Sequence, residues 1–234
     1  MKNIGDLIET PSVRVFFGNK HSTIENIKAQ FTDLNFLKVK QTHSDKIVEA
    51  SPLRDQAAGN FVEADAHFTK NRSAALLIST ADCIPIMIHV PSSALVMGIH
   101  AGWRGIESNI IGKSIMHIKN LGHDVGDAQV WIGPHIGFPS FEVGLDVADR
   151  LRKVYKELPT LVYGEFEQPQ SDPNKKRVNL FLIATLQLIT SGLQEHNINS
   201  LLIDTVKSKD HESHRRDGAK ANRNLSFIAL KPAH

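Results

Sequence analysis

An intrachain disulfide framework is excluded at once, because the 234-residue chain holds a single cysteine, Cys83. A lone thiol fits a reducing compartment better than a secreted, cross-linked scaffold. Charge of one sign is lacking too. There are 27 basic and 25 acidic residues, a formal net charge of +2, and no concentrated basic patch of the kind a nucleic acid requires. The mildly basic tail "HESHRRDGAKANRN" is too short to change that. No apolar run reaches the roughly 20 residues of a membrane span. The opening "MKNIGDLIETPSVRVFFG" lacks the apolar stretch of a secretory leader. The expectation is a cytoplasmic protein with neither nucleic-acid nor membrane partners.

What is present is a hydrophobic content of 41 %, enough for a sizeable core. There is no internal repeat, no low-complexity tract and no convincing linker, so residues 1–234 read as one domain. "VRVFF" (Val13 to Phe17) reads as a strand and "STIENIKAQF" as a short helix, with Ser22 and Glu25 at capping-box spacing. "FLKVKQTHS" and "KIVEA" read as strands joined by a tight turn at Ser44-Asp45, and "DAHFT" as another strand. Three apolar runs follow, Ala75 to Thr80, Ile84 to Val90 and Ala94 to His100, the last two linked through Pro91-Ser92-Ser93.

Ile106, Ile110, Ile111, Ile115, Ile118 and Leu121 form one helical stripe that predicts a helix over 106–121, with Gly122 as its C′ residue. "QVWIG" reads as a strand, Leu145 to Leu158 as an amphipathic helix, Tyr163 to Lys176 as a polar surface loop, and Val178 to Leu193 as an apolar helix. "SLLIDT" and "LSFIAL" close the chain as strands. Runs of strands interspersed with helices predict an α+β or mixed α/β class.

The stretch "LLISTADCIPIMIHVPSSALVMGIHAGWRG" carries the chemistry. Cys83 follows Ala-Asp and precedes Ile-Pro, at a break between two strands. A buried cysteine is ordinarily a small hydrophobe, but at a strand end it serves as a nucleophile or a soft metal ligand. His100 ends an apolar strand and opens "HAGWRG", where glycines allow close backbone approach and Arg104 offers a forked donor for phosphate or carboxylate. A helix start just after it would add free N–H groups for an anion. Trp103 reads as packing. His43, in "VKQTHSDKIV", lies at a third strand end. Together His43, Cys83 and His100 make an N₂S set that leaves a fourth zinc position for water, the pattern of a catalytic rather than a structural site.

"QTHSDKIVE", "STADCIPIMI", "HAGWRGI", "IGPHIGFPSFEVG" and "SHRRDGAKANR" occur in that order. Together they resemble the YfiH family, also known as the multicopper polyphenol oxidase or laccase-domain family and related to the purine nucleoside phosphorylase FAMIN. The resemblance runs from about Phe16 to Leu230. It implies mixed β-sheets packed with helices, a fold shared with the catalytic domain of cytotoxic necrotizing factor toxins. It also implies a metal site at His43, Cys83 and His100. The activities it implies are phosphorolysis of adenosine, inosine and 5′-methylthioadenosine, deamination of adenosine, and a link to editing of peptidoglycan precursors. Here His135 stands in "GPHIG" where many relatives carry cysteine or alanine, and "AKANR" replaces a common Gly-Arg pair around Arg223.

The leading reading is a zinc-dependent purine nucleoside enzyme whose partners are a nucleoside and phosphate. Arg104 is the first candidate for the anion, and Arg215 and Arg216 are the second. The alternative is a metal-free cysteine hydrolase or amidase with Cys83 as nucleophile and His100 as base. A copper polyphenol oxidase fares worse, because oxygen reduction by several coppers needs many histidines, often in His-X-His pairs, and the chain has no such pair. Copper at the three-ligand site stays open, since intrinsic affinity favours it over zinc. A non-enzymatic metal-binding module would leave Arg104 and the glycine-rich turn without a role.

Overall fold

The computed structural model describes residues 3–50, 61–159 and 164–232. In chain order the first elements are β1 (Gly5–Glu9), β2 (Val13–Gly18), α1 (Ile24–Gln30), β3 (Asn35–Lys38), β4 (Ile47–Glu49) and β5 (Ala66–Thr69). Then come β6 (Ala74–Thr80), β7 (Ile84–Val90), β8 (Leu95–Ala101), α2 (Trp103–Glu107), α3 (Ile110–Asn120) and β9 (Gln129–Ile132). The remainder comprises β10 (Glu142–Gly144), α4 (Leu145–Glu157), β11 (Glu167–Pro169), β12 (Lys175–Val178), α5 (Leu180–Thr190), β13 (Ile198–Ser200), α6 (His214–Asp217) and β14 (Asn224–Leu230).

Two mixed sheets lie face to face. One has five strands in the order β1-β2-β14-β6-β3, the other six in the order β13-β9-β7-β8-β5-β4. A small three-stranded sheet, β10-β12-β11, sits beside them. Side-chain alternation between two packed faces explains why β7 and β8 are buried throughout and apolar apart from His89 and His100. Ile84, Ile86, Ile88 and Val90 of β7 face the core shared with α3 and α5. Met87 of β7 and Val96 of β8 face Leu76, Ile78 and Val15 of the other sheet. The far side of the five-stranded sheet is closed by α1, whose Ile27 packs with Phe16, Leu77 and Phe227. The result is a mixed α/β architecture of helix, sheet, sheet and helices. Among the described residues no helix is long and apolar enough to cross a membrane.

Several local expectations change in three dimensions. "FLKVK" and "KIVEA" do not form a hairpin. Strand β3 pairs with β6 in one sheet and β4 with β5 in the other, so the chain between them crosses from sheet to sheet and carries His43 with it. The helix expected over 106–121 begins earlier and breaks in two. Asn109 adopts φ 57° and ψ 43°, and its side chain accepts from the Gly112 amide to cap α3. Leu121, placed on the buried stripe, is 49 % exposed. Helix α1 is capped by Thr23, which accepts from Asn26, and Ser22 instead donates to the Asn19 carbonyl. The polar stretch expected as a loop contains β11 and the first half of β12, although Tyr163 itself lies outside the described residues. Strand β1 has no strong apolar pattern and escaped the sequence reading.

Candidate metal and active site

The ends of β6 and β8, and the crossing between β3 and β4, meet at one edge of the sandwich. Cys83 lies between β6 and β7, His100 is the penultimate residue of β8 and His43 sits in the crossing. One potential ligand atom from each lies within 4.8 Å of the others. The Cys83 Sγ is 3.7 Å from His43 Nε2, and the two imidazoles are 4.8 Å apart between centroids at 74°. Tetrahedral zinc with bonds of 2.0–2.3 Å holds its ligand atoms about 3.3–3.8 Å apart, so the set fits a metal with a small inward adjustment.

Two carboxylates hold this arrangement. Asp65, fully buried just before β5, accepts from His100 Nδ1 at 2.7 Å. It also accepts from the backbone amides of Thr42, His43 and Ser44 at 3.1, 3.1 and 2.6 Å, and from the Ser44 hydroxyl. One side chain therefore fixes the His43 loop and, since a carboxylate can only accept, the His100 tautomer, leaving Nε2 directed away from Asp65. Burial alone would raise the Asp65 carboxyl, but the hydrogen bonds from His100 and Ser44 outweigh it and hold it at about 2. Asp82 accepts from the Thr205 hydroxyl and the Arg215 amide, both at 2.6 Å, which ties the Cys83 turn to the C-terminal segment. His43 and Asp82 have φ values of 59° and 84°. Such left-handed backbone in residues other than glycine recurs at functional sites.

The electrostatics favour a charged pair. Burial opposes ionisation of the Cys83 thiol, yet His100 and His43 draw it down to about 6. Burial likewise opposes protonation of His100, but Asp65 and Cys83 raise it to about 9. Gly102 is required by space. A Cβ there would stand 2.9 Å from His43 Cδ2 and 3.0 Å from Cys83 Sγ.

The cluster opens into a cavity of about 930 Å³, also lined by Gln41, Trp103, Arg104, Phe141, Arg215 and Arg223. Arg104 lies on the Trp103 ring at 4.4 Å and has no carboxylate partner among the described residues. Glu107 is engaged instead by Arg150. The helix after His100 starts at Trp103 and has five residues, too short to contribute much dipole, so any anion affinity here rests on the Arg104 guanidinium. Arg215 reaches the Ser140 and Glu142 carbonyls and lines the cavity.

Arg216 departs from the anion-binding expectation. Its guanidinium is spent on the carbonyls of Thr205, Ser208 and His211 and on Asp217, and it is not among the cavity-lining residues. His135 is buried, donates to the Gly133 carbonyl at 2.8 Å and stacks on Phe181. Sequence reasoning missed Asp65. Its one signal was an acid set among small residues directly before an apolar strand.

The fold and site define a protein of the YfiH type, a two-sheet α/β sandwich with a His-Cys-His cluster at one edge. Residues 17–231 match the family described as multi-copper polyphenol oxidoreductase laccase, and the chain belongs to that family. It is 29 % identical over 206 residues to a purine nucleoside phosphorylase of Bacteroides thetaiotaomicron, covering 87 % of this chain and 72 % of that one. A purine nucleoside phosphorylase of Clostridium acetobutylicum is 27 % identical over 222 residues, covering 90 % and 84 %. The fold matches the crystal structure of YlmD from Geobacillus stearothermophilus with a TM-score of 0.84 at 21 % identity, covering 99 % and 100 %. It also matches that of YfiH from Bacillus licheniformis with a TM-score of 0.82 at 24 % identity, covering 96 % and 99 %.

Proposed function

We propose that the protein is a zinc-dependent enzyme of purine nucleosides, cleaving adenosine, inosine and 5′-methylthioadenosine with phosphate and deaminating adenosine. The observation that carries this reading is the convergence of His43, Cys83 and His100 in the wall of a cavity that also presents Arg104. The relatives named purine nucleoside phosphorylase support the substrate class. Zinc held by this set would acidify a water toward neutrality and so supply a nucleophile for deamination. Phosphorolysis exchanges the C1′–N9 bond for a C1′–O bond to phosphate. Arg104 holds that phosphate by forked, charge-assisted donation, with Arg215 beside it. Asp65 holds His100 in the tautomer that presents Nε2 to the cluster. Copper is the alternative ion for the same ligands.

A polyphenol oxidase with several coppers is less well supported, because the described residues gather one three-ligand cluster. A cysteine hydrolase or amidase, acting in peptidoglycan precursor editing, is favoured by one observation. The Asp65–His100–Cys83 chain has the polarity of a nucleophile, base and orienting carboxylate, with the thiol lowered to about 6.

Metal analysis of the purified protein, paired with a nucleoside-plus-phosphate assay, separates the readings. Chelation abolishes activity and zinc restores it if the proposal holds. Activity that survives chelation in metal-free protein and dies on thiol alkylation selects the hydrolase. Arg104→Ala raises the phosphate concentration needed for phosphorolysis about ten- to a hundred-fold, the loss of one charge-assisted contact, and spares deamination more. Equal loss of both activities, together with a lower melting temperature, makes Arg104 a structural residue.

A further inference from the structure

His214 lines the same cavity as the His-Cys-His cluster and is not one of its candidate ligands. It opens α6, and the main chain around it is fixed at several points. The buried Ser213 before it caps the helix, accepting from the Arg216 amide at 3.1 Å. The Arg215 amide after it donates to Asp82 at 2.6 Å, and its own carbonyl accepts from Gly218. Asp82 directly precedes Cys83, so a single hydrogen bond joins the backbone beside His214 to the turn that carries the thiol.

The side chain itself is uncommitted. It is exposed, and among the described residues its ring has no hydrogen bond, ion pair or ring contact. The two acids of the cavity wall are engaged, Asp82 by Thr205 and the Arg215 amide and Glu142 by Lys175 at 2.8 Å. The guanidinium groups of Arg104, Arg215 and Arg223 cannot give up a proton in a protein. An imidazole gains and loses a proton near neutrality, and this one is open both to the cavity and to the solvent that recharges it.

Phosphorolysis of a purine nucleoside has a need that Arg104 cannot meet. The purine must leave with the electron pair of the C1′–N9 bond, and as a bare anion it leaves poorly. We propose that His214 is the general acid of this step and protonates the departing purine at N7. This rests on the purine nucleoside reading of the site. The C1′–N9 bond breaks as a phosphate oxygen bonds to C1′, its electron pair passes into the purine, and the His214 proton settles on N7. The sugar phosphate releases its own proton to solvent, from which the ring is recharged.

Phosphorolysis of inosine and of 7-methylinosine, by the zinc-loaded protein and by its His214→Ala variant, tests the assignment. Methylation at N7 puts a positive charge on the purine beforehand, so this base leaves as a neutral molecule and needs no acid. The variant is expected to lose at least about a hundred-fold in kcat/KM on inosine, the scale of a positioned acid, and less than about threefold on 7-methylinosine. Zinc content and melting temperature are expected to hold, because the side chain is exposed and lies outside the ligand set. Equal losses on the two substrates overturn the proposal and make His214 a binding or structural residue. Full activity of the variant on inosine overturns it too, and both results leave the proposed function standing. Unaltered protein that cleaves neither nucleoside sinks the purine nucleoside reading, and the role of His214 with it.

Discussion

Asp65 is the residue on which the site geometry turns, although it contributes nothing to the set of metal-binding atoms. Its carboxylate meets one imidazole, three amides and one hydroxyl, so its replacement acts on two candidate ligands at once. Asp65→Asn retains the size of the side chain but cannot accept all of these donors. Orienting partners of ligating histidines are typically worth ten- to a hundred-fold in metal affinity or activity. The expected outcome is a loss of that order in zinc affinity, read by chelator competition, with a lower melting temperature because the His43 loop loses its anchor. Unchanged zinc affinity would show that His100 is held by packing alone.

At the scale of elements, the decisive feature is the junction of β8 and α2. His100 lies one residue from the end of the strand while Gly102 caps the helix that follows. The backbone there passes close enough to His43 and Cys83 that only a hydrogen fits on its α-carbon. Gly102 has an ordinary φ of −77°, so the requirement is for space and not for an unusual dihedral. Gly102→Ala is expected to push apart His43 and Cys83 while leaving both sheets intact. Misplacement of reacting groups by about 1 Å can cost on the order of a hundred-fold in rate, so activity should fall at least tenfold with an unchanged circular dichroism spectrum. Full activity in this variant would mean that the cluster tolerates a wider opening than the geometry allows.

For the molecule as a whole, pH acts on stability through buried histidines. His67 on β5 is fully buried, neither ring nitrogen has a hydrogen-bond partner, and burial lowers it from 6.5 to about 4. Burial lowers His89, His135 and His211 in the same direction. Above about pH 6.5 the His67 ring is neutral in both folded and unfolded chains and takes nothing from stability. As pH falls from 6.5 toward 4 the unfolded chain takes up a proton that the folded chain refuses. The native state then loses about 3 kcal/mol from this ring. Urea unfolding at pH 7, 5.5 and 4.5 should show that decline, and His67→Leu should flatten much of it. A variant with the unchanged slope would assign the effect to the other histidines.

The sequence alone determined the strands that are buried on both faces, because β7 and β8 read as hydrophobic runs interrupted only by His89 and His100, whatever their neighbours. It also determined the three candidate ligands, since a lone cysteine and two histidines at strand ends are unusual enough to stand out locally, and the ordered motifs around them identified the family. Tertiary structure decided what depends on partners far along the chain. Whether β3 and β4 share a sheet is set by which strand each one pairs with, and local pattern carries no trace of that choice. The break at Asn109 is a left-handed cap inside a helical stripe, invisible to periodicity. Asp65 became a site residue only when the crossing loop folded its amides onto it. Arg104 and Arg216, alike as isolated guanidinium groups, were separated by what surrounds them: an open cavity in one case and a ring of backbone carbonyls in the other.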